Sequence, residues 1–161
     1  MTRGIPGLSS VFMRKEAIVQ ALKTVCEGLA KSPNESNVEV SGLLLGKEFA
    51  GGLLITSTVT GKQTSSEITS KLDEDFMATI AQAMITGEMV ERIVGLFHSH
   101  PDIGIFLSQQ DVRTFANFCR LYPGFVMMVI DPLRPRGERY KFFRYDAHTR
   151  SVHLLTVGEL E

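Results

Sequence analysis

Two histidines separated by a single residue are the most chemically suggestive feature of this sequence. His98 and His100 follow the apolar run 93–97, which predicts a buried strand, and Pro101 then ends the strand ladder. Because side chains two positions apart on a strand point to the same face, the two imidazoles project together. Imidazole nitrogen is a common zinc ligand, so the pair predicts a metal site that needs at least one more ligand.

Asp111 is the candidate for the third ligand. It falls in the first turn of a helix predicted over 108–120, after a loop long enough to fold back over the strand end. Catalytic zinc is commonly held by three protein ligands, with water in the fourth position. We therefore predict one Zn²⁺ ion bound by His98, His100 and Asp111, with water as its fourth ligand. Two alternatives stay open: Ser108 and Asp111 also fit a helix N-cap, and Asp102 is a rival ligand.

Composition narrows the class of protein. A chain of 161 residues, 43% of them hydrophobic, is long enough for one sizeable core, and we predict a single domain over 1–161. With 17 basic and 18 acidic residues, the chain has no overall field that would favour nucleic acid or an anionic membrane as a partner. Cys26 and Cys119 lack CxxC spacing and are expected to be core residues in a reduced compartment. We expect a cytoplasmic location.

Hydrophobic periodicity predicts a mixed α/β fold, with one curved sheet flanked by helices. The pattern predicts helices at 14–29, from 73 to near 87, and at 108–120. It predicts a hairpin over 38–60 and strands at 93–97, 125–130, 140–145 and 152–157. The polar segment 61–70 is expected to be a loop or flap.

The motif residues together resemble a known family. His98, His100 and Pro101, followed by Ser108 and Asp111, reproduce the HxHPx6SxxD signature of the JAMM (MPN+) metalloproteases. The family also has a glutamate before a glycine-containing strand. Glu39, followed by VSGLLLG, resembles that element better than its rival Glu35, which lies in a turn-rich link. The resemblance extends from about residue 10 to about residue 146, is greatest to the proteasome-lid and signalosome branch, and fits a compact prokaryotic version. It implies the family's cytidine-deaminase-like α/β fold.

The resemblance also implies a reaction. It suggests a zinc-dependent isopeptidase that hydrolyses the bond between the C-terminus of ubiquitin, or a ubiquitin-like modifier, and a substrate lysine. Glu39 would be the general base and Ser108 the donor to the oxyanion. The alternatives are a protease that trims a ubiquitin-like or sulfur-carrier precursor, and a non-catalytic MPN scaffold. A nucleoside deaminase is disfavoured because the paired cysteine ligands are absent.

Two segments are candidates for substrate binding. The resemblance implies that the flap pairs with the extended tail of the modifier. Its candidate residues are Gly61, Lys62, Gln63, Thr64, Ser65 and Ser66. The apolar loop of Ile105, Phe106 and Leu107 lies between the metal ligands in sequence and is either a contact surface or a plug of the core. The implied partners are ubiquitin-like modifiers and their conjugates, with a proteasome-type or MPN subunit as a further partner.

Overall fold

The computed structural model describes residues 10–31, 40–60, 82, 86–87, 91–100 and 105–161. The chain order of its elements, with our labels, is β1 Ser10–Arg14, α1 Lys15–Lys31, β2 Ser41–Phe49, β3 Gly52–Val59, β4 Arg92–Ser99, α2 Gln109–Leu121, β5 Val126–Ile130, β6 Tyr140–Asp146, β7 Ser151–Leu155 and β8 Val157–Leu160. No helix of the described part is long and apolar enough to cross a membrane.

The strands form one mixed sheet in the order β7-β6-β5-β4-β2-β3-β1-β8. Strand β1 runs parallel to β3 and β8, and β4 runs parallel to β5, whereas the other neighbours are antiparallel. Strands β7 and β8 are the two edges, yet only Thr156 separates Leu155 from Val157. The sheet must therefore curl until its edges approach each other, since three successive residues span only about 7 Å. The predicted curved, mixed α/β sheet is confirmed.

The curled sheet has a different helix on each face. On the inner face, α1 packs with Ala17, Ile18, Ala21 and Val25 against strand residues that include Leu44 and Phe97. On the outer face, Phe115 and Cys119 of α2 pack against a second set of strand residues. These are Leu43, Leu45, Leu96, Met127, Val129 and Phe143. The strands at the centre are consequently buried on both faces, which explains their continuous apolar runs.

A bulge in β4 sets the face to which each of its side chains points. The register against β2 shifts between Leu44, which pairs with Gly95, and Leu45, which pairs with Ile93. Val94 therefore lies on the inner face although Leu96, two residues later, lies on the outer face. After the bulge, normal alternation puts His98 on the outer face with Leu96. Without this bulge, side chains would alternate strictly along β4. His98, four residues after Val94, would then point to the inner face as Val94 does.

Most predicted elements are confirmed. Helices α1 and α2 and the hairpin of β2 and β3 lie where periodicity placed them, and the hairpin tip has positive φ at Ala50 and Gly51. The helix predicted from residue 73 lies mostly outside the described residues. Its end is visible: Thr86 N–H donates to the Gln82 carbonyl, and Gly87 has a φ of 80°.

Three expectations need correction. Strand β1 was not predicted, because its five residues are too few to give a clear period. The single strand predicted over 152–157 is wrong: it is two strands, β7 and β8, which pair at opposite edges of the sheet because the sheet curls. Cys26 is exposed and not a core residue, since it lies one step around the helix from buried Val25, whereas Cys119 is buried as expected.

Gly42 permits a close contact at the centre of the sheet and gives a test of the fold. A Cβ atom there would lie 2.4 Å from Cε1 of the fully buried Phe97 and 2.8 Å from the Val59 carbonyl oxygen. We predict that Gly42→Ala lowers the free energy of unfolding by about 1–3 kcal/mol through overpacking, measured by urea denaturation. Val19→Ala, at an exposed position of α1, should change it by less than about 0.5 kcal/mol. Equal stability of the two variants would contradict the packing described here.

Candidate metal centre

The two histidines lie where the central strand β4 ends. His98 is paired on one side with Ser41 of β2 and on the other with Val129 of β5. His100 lies one residue beyond the strand, and its N–H donates to the Ile130 carbonyl at 2.8 Å. Both side chains are buried, with exposed fractions of 0% and 2%. Because backbone pairing fixes both residues, the imidazoles are held on the outer face of the sheet.

Helix α2 brings the third residue to the same place. Asp111, Phe115 and Cys119 are spaced by four residues, so they lie on one face of the helix. Phe115 and Cys119 belong to the outer core, and Asp111, only 7% exposed, continues their stripe to the end of β4. The packing that buries this apolar stripe is thus also what positions the carboxylate against the histidines.

The three ligand atoms form a nearly equilateral triangle. Nε2 of His98 lies 3.1 Å from Nε2 of His100, and each lies 3.3 Å from Oδ2 of Asp111. With metal–ligand distances of about 2.0–2.1 Å, a tetrahedral zinc site has ligand–ligand edges of about 3.3–3.4 Å. Within the residues that the structure describes, this is the one group of three potential ligands whose atoms lie within 4.8 Å of one another. The donor set fits Zn²⁺.

The protonation states also suit a metal ion. Burial lowers the pKa of His98, although the nearby Asp111 opposes this effect, so the ring favours its neutral form. Burial alone would raise the pKa of Asp111, but hydrogen bonds with His100 and His98 and with the Ser108 N–H hold it well below its usual range. A neutral imidazole and a charged carboxylate are the forms that bind metal.

Ser108 and Asp111 serve the helix and the site together. The Asp111 N–H donates to Oγ of Ser108 at 3.1 Å, and the Ser108 N–H donates to Oδ2 of Asp111 at 2.9 Å. The helix cap that the sequence offered as an alternative to a metal role for these two residues is therefore present, as a capping box. It does not compete with a metal role, because the bond from Ser108 fixes the same oxygen that faces the histidines. Capping uses an acceptor lone pair of Ser108, which leaves its O–H proton for donation.

The loop before α2 divides into two parts. Ile105 and Leu107 pack against the outer core, as a plug would. Phe106 is 45% exposed, and its ring lies against His100 with centroids 4.9 Å apart. Of the apolar loop, Phe106 is thus the residue that the structure presents both to the histidines and to solvent.

Some predicted site residues lie outside the described residues. They are Glu39 and its rival Glu35, the ligand rival Asp102, and the flap residues Gly61, Lys62, Gln63, Thr64, Ser65 and Ser66. Their roles stay predictions.

Ser99 was not singled out by its sequence, since its side chain points away from the histidines. It is fully buried, and its Oγ accepts a hydrogen bond from the Val40 N–H at 2.9 Å. The signal in the sequence was a hydroxyl at the end of a buried strand, which requires a partner when it is itself buried.

Comparison with known proteins identifies the family. The family model described as JAB1/Mov34/MPN/PAD-1 ubiquitin protease matches residues 7–124. The chain belongs to this family. The MPN domain also agrees with the solution structure of protein DSY2949 from Desulfitobacterium hafniense, which matches with a TM-score of 0.66 over 94% of this chain and 93% of that one. At 18% identity, this likeness shows the fold.

The curated relatives of this MPN domain include proteins of different names. COP9 signalosome complex subunit 5 of Caenorhabditis elegans is 33% identical over 61% of the chain, and the 26S proteasome regulatory subunit rpn11 of Schizosaccharomyces pombe is 25% identical over 83%. A protein named NAD(+) hydrolase TcpA, from a Theionarchaea archaeon, is 34% identical over 69%. The matches span 27%, 44% and 34% of these relatives' own lengths, respectively.

Zinc binding by this centre should be visible as thermal stabilisation. A ligand that binds only the folded state stabilises it by about 2.7 kcal/mol at a hundred times its Kd. We predict that Zn²⁺ raises the Tm of the wild type, that a chelator reverses the rise, and that His98→Ala and Asp111→Asn abolish it. His153→Ala, an exposed histidine of β7, is the matched control and should respond like the wild type. An equal response of all four proteins would exclude this metal site.

Proposed function

We propose that this MPN domain is a zinc-dependent isopeptidase that releases ubiquitin or a ubiquitin-like modifier from a substrate lysine. The observation that supports the proposal best is the buried triangle of His98, His100 and Asp111, with edges of 3.1–3.3 Å at the end of the central strand. Family membership adds support, since a Saccharomyces cerevisiae relative, 27% identical over 78% of the chain, is named ubiquitin carboxyl-terminal hydrolase RPN11.

The chemistry follows from what such a site provides. His98, His100 and Asp111 would hold the ion, and as a Lewis acid zinc would lower the pKa of a bound water towards about 7 and polarise the scissile carbonyl. Glu39 accepts the proton of the attacking water and returns it to the departing lysine amine. Ser108 donates its O–H to the oxygen on which negative charge develops. The substrate tail approaches the site past the exposed Phe106.

We propose a cytoplasmic protein that meets modifier conjugates there, with a proteasome-type or MPN subunit as a further partner. Exposed Cys26 is compatible with a reducing compartment, where a surface thiol stays reduced.

Glu39→Gln separates metal binding from catalysis. Gln keeps the shape of the side chain but cannot accept a proton, so kcat should fall by about 10²–10⁴-fold while zinc content stays at one ion per chain. The assay uses ubiquitin, and the ubiquitin-like proteins of the source organism, joined through an isopeptide bond to a fluorescent lysine peptide. Zinc content is measured by mass spectrometry of the metal. Full cleavage by the Gln variant would refute this mechanism, and Glu35→Gln is the control that should retain activity.

Phe106→Ala tests the substrate side of the site. Removing a half-exposed aromatic contact should raise KM by about 5–30-fold and leave kcat nearly unchanged, because the ring contributes to binding and not to the chemical step. Leu154→Ala removes an exposed apolar side chain from β7 and should not change KM. If Phe106→Ala instead lowers the affinity for zinc and leaves KM unchanged, Phe106 protects His100 from solvent and does not bind substrate.

A second candidate function is that of a processing protease, in which the same site hydrolyses a linear peptide bond instead of an isopeptide bond. A linear precursor, in which a short extension follows the terminal glycine of the modifier, presents a peptide bond to the same groups. Comparing kcat/KM for this precursor and for the isopeptide conjugate separates the processing protease from the isopeptidase. If the protein contains no zinc after purification without a chelator, this result would instead support the alternative of a non-catalytic MPN scaffold.

Because one relative is named as an NAD(+) hydrolase, hydrolysis of NAD⁺ is a further activity to test. Release of nicotinamide from NAD⁺ breaks a glycosidic carbon–nitrogen bond. Positive charge develops on the sugar in the transition state, and the reaction has no carbonyl to polarise. The matched segment is 34% of that protein, and the donor set of this site suits carbonyl hydrolysis. Incubation with NAD⁺ should therefore release no nicotinamide under conditions in which the conjugate is cleaved.

A further inference from the structure

We propose that a basic surface between β5 and β6 selects substrates by binding acidic residues that flank the scissile lysine in the conjugated protein. The surface consists of Arg134, Arg136, Arg139 and Lys141, and we call it the basic rim. This inference rests on the proposed function, since it concerns the substrate of the same metal centre.

The strand register places the basic rim on the same face of the sheet as the metal centre. His98 pairs with Val129 of β5, and Val129 pairs in turn with Lys141 of β6. Because Val129 belongs to the outer core, Lys141 and His98 both lie on the outer face. Two strand spacings separate them, which corresponds to about 10 Å between their backbones.

The loop that carries the rest of the rim begins beside the second histidine. The His100 N–H donates to the carbonyl of Ile130, the last residue of β5. The next residue, Asp131, donates its N–H to the Arg139 carbonyl at 2.8 Å. Both ends of the loop 131–139 therefore lie at the end of the sheet where the metal ligands meet.

Hydrogen bonds within the loop fix its shape. Oδ1 of the buried Asp131 accepts a hydrogen bond from the Leu133 N–H at 3.1 Å. Nε of Arg139 donates to the Arg134 carbonyl at 3.1 Å, and the turn between them contains Gly137 with a φ of 93°. A loop held in this way loses little conformational freedom when a ligand binds, which favours binding.

The cations of the rim are accessible and lack carboxylate partners within the part of the chain that the structure describes. Arg134, Arg136 and Lys141 are exposed, and Arg139 is half-buried. The ion pairs of the described residues involve none of the four. Glu138 is the single acidic residue of the segment 134–141. In a chain of net charge −1, the rim is a local concentration of positive charge that complements an anionic ligand.

The proposed reaction indicates where such an anionic ligand comes from. The scissile bond ends on a lysine, whose four-carbon stem keeps the neighbouring residues of the conjugated protein close to the metal centre. The folded part of the modifier is set back from the centre by its extended tail. A rim about 10 Å from the histidines is therefore within reach of the residues that flank the lysine, and acidic side chains there complement it.

The principal test uses the zinc-loaded full chain and two ubiquitin conjugates, whose lysine peptides carry either glutamates or glutamines at the same flanking positions. We expect kcat/KM at low salt to be about 3–10-fold higher for the glutamate peptide, because several exposed charge pairs each contribute a little. The preference should vanish in about 1 M salt, where the Debye length is about 3 Å. Equal kcat/KM for the two conjugates at low salt would overturn the proposal.

Charge reversal tests the rim itself. Lys141→Glu should abolish the preference for the glutamate peptide and leave zinc content and Tm unchanged. Lys47→Glu is the matched control, since Lys47 is an exposed lysine of β2 that follows Gly46, the partner of Arg92 at the opposite end of β4. This control should keep the wild-type preference. A preference that survives both Lys141→Glu and Arg134→Glu would refute the basic rim.

Other ligands of the rim would give different results. If Lys141→Glu lowers kcat/KM by the same factor for both conjugates, the rim contacts the modifier and the assignment to the conjugated protein is wrong. If wild type binds a single-stranded RNA oligonucleotide, Lys141→Glu does not, and neither discriminates between the peptides, the rim is a nucleic-acid surface and the proposal is overturned.

Titration with the free peptides separates a failure of the rim from a failure of the proposed function. In the wild type, the NMR shifts of backbone amides in 133–141 should respond to the glutamate peptide and not to the glutamine peptide. If the zinc-loaded protein shows this response but cleaves neither conjugate, the isopeptidase proposal is refuted and the rim stands as a site for acidic peptides. If it cleaves both conjugates equally and shows no response, the rim is refuted and the proposed function stands.

Discussion

Burial of one helical stripe against the outer face of the sheet is the constraint on which the site depends. Phe115 and Cys119 anchor α2 by leaving water, a driving force of about 25 cal/mol for each Å² of apolar surface buried. Asp111 extends the same stripe by one turn and faces a pair of histidines. A carboxylate in this place is costly unless it is paired, and its partners are the two imidazoles and the Ser108 N–H. Apolar packing thus determines where the polar chemistry is possible.

The bulge in β4 connects this packing to the strand. It changes the alternation between Val94 and Leu96, so that His98 and His100 meet α2 on the outer face while Ser99 turns inwards to Val40. Alternation puts residues 98 and 100 on one face and residue 99 on the other, and the bulge decides which face each of them takes. The histidines face the metal centre, and the serine between them fastens the neighbouring strand.

Much of this arrangement could be predicted from the sequence, because it follows from periodicity and spacing. Helical stripes located α1 and α2, and the alternating pattern over 38–60 located the β2–β3 hairpin. The spacing of HxH and SxxD indicated which residues would meet. The capping alternative for Ser108 and Asp111 was equally sound, and the structure shows that both patterns use the same carboxylate oxygen.

Other features depend on contacts between distant parts of the chain, which no local pattern reveals. The division of 151–160 into two strands arises only because the sheet curls, and the short β1 is stabilised by partners more than forty residues away, such as Gly52 opposite Ser10. The bulge at Val94 is defined by its pairing with β2. The bond between Ser99 and Val40 likewise joins residues 59 positions apart. Sequence spacing can suggest that a buried hydroxyl has a partner, but it cannot say which one.

The meeting of β1 with β8 has a consequence for how the protein folds during synthesis. Val11 pairs with Val157, so this contact spans almost the whole described chain and adds strongly to the contact order. While the ribosome is still making the middle of the chain, β1 can already pair with β3, but its other edge must wait for residues 157–160. Until then that edge is exposed as an unpaired template for other strands. Pairing of β8 with β1 removes this exposed edge.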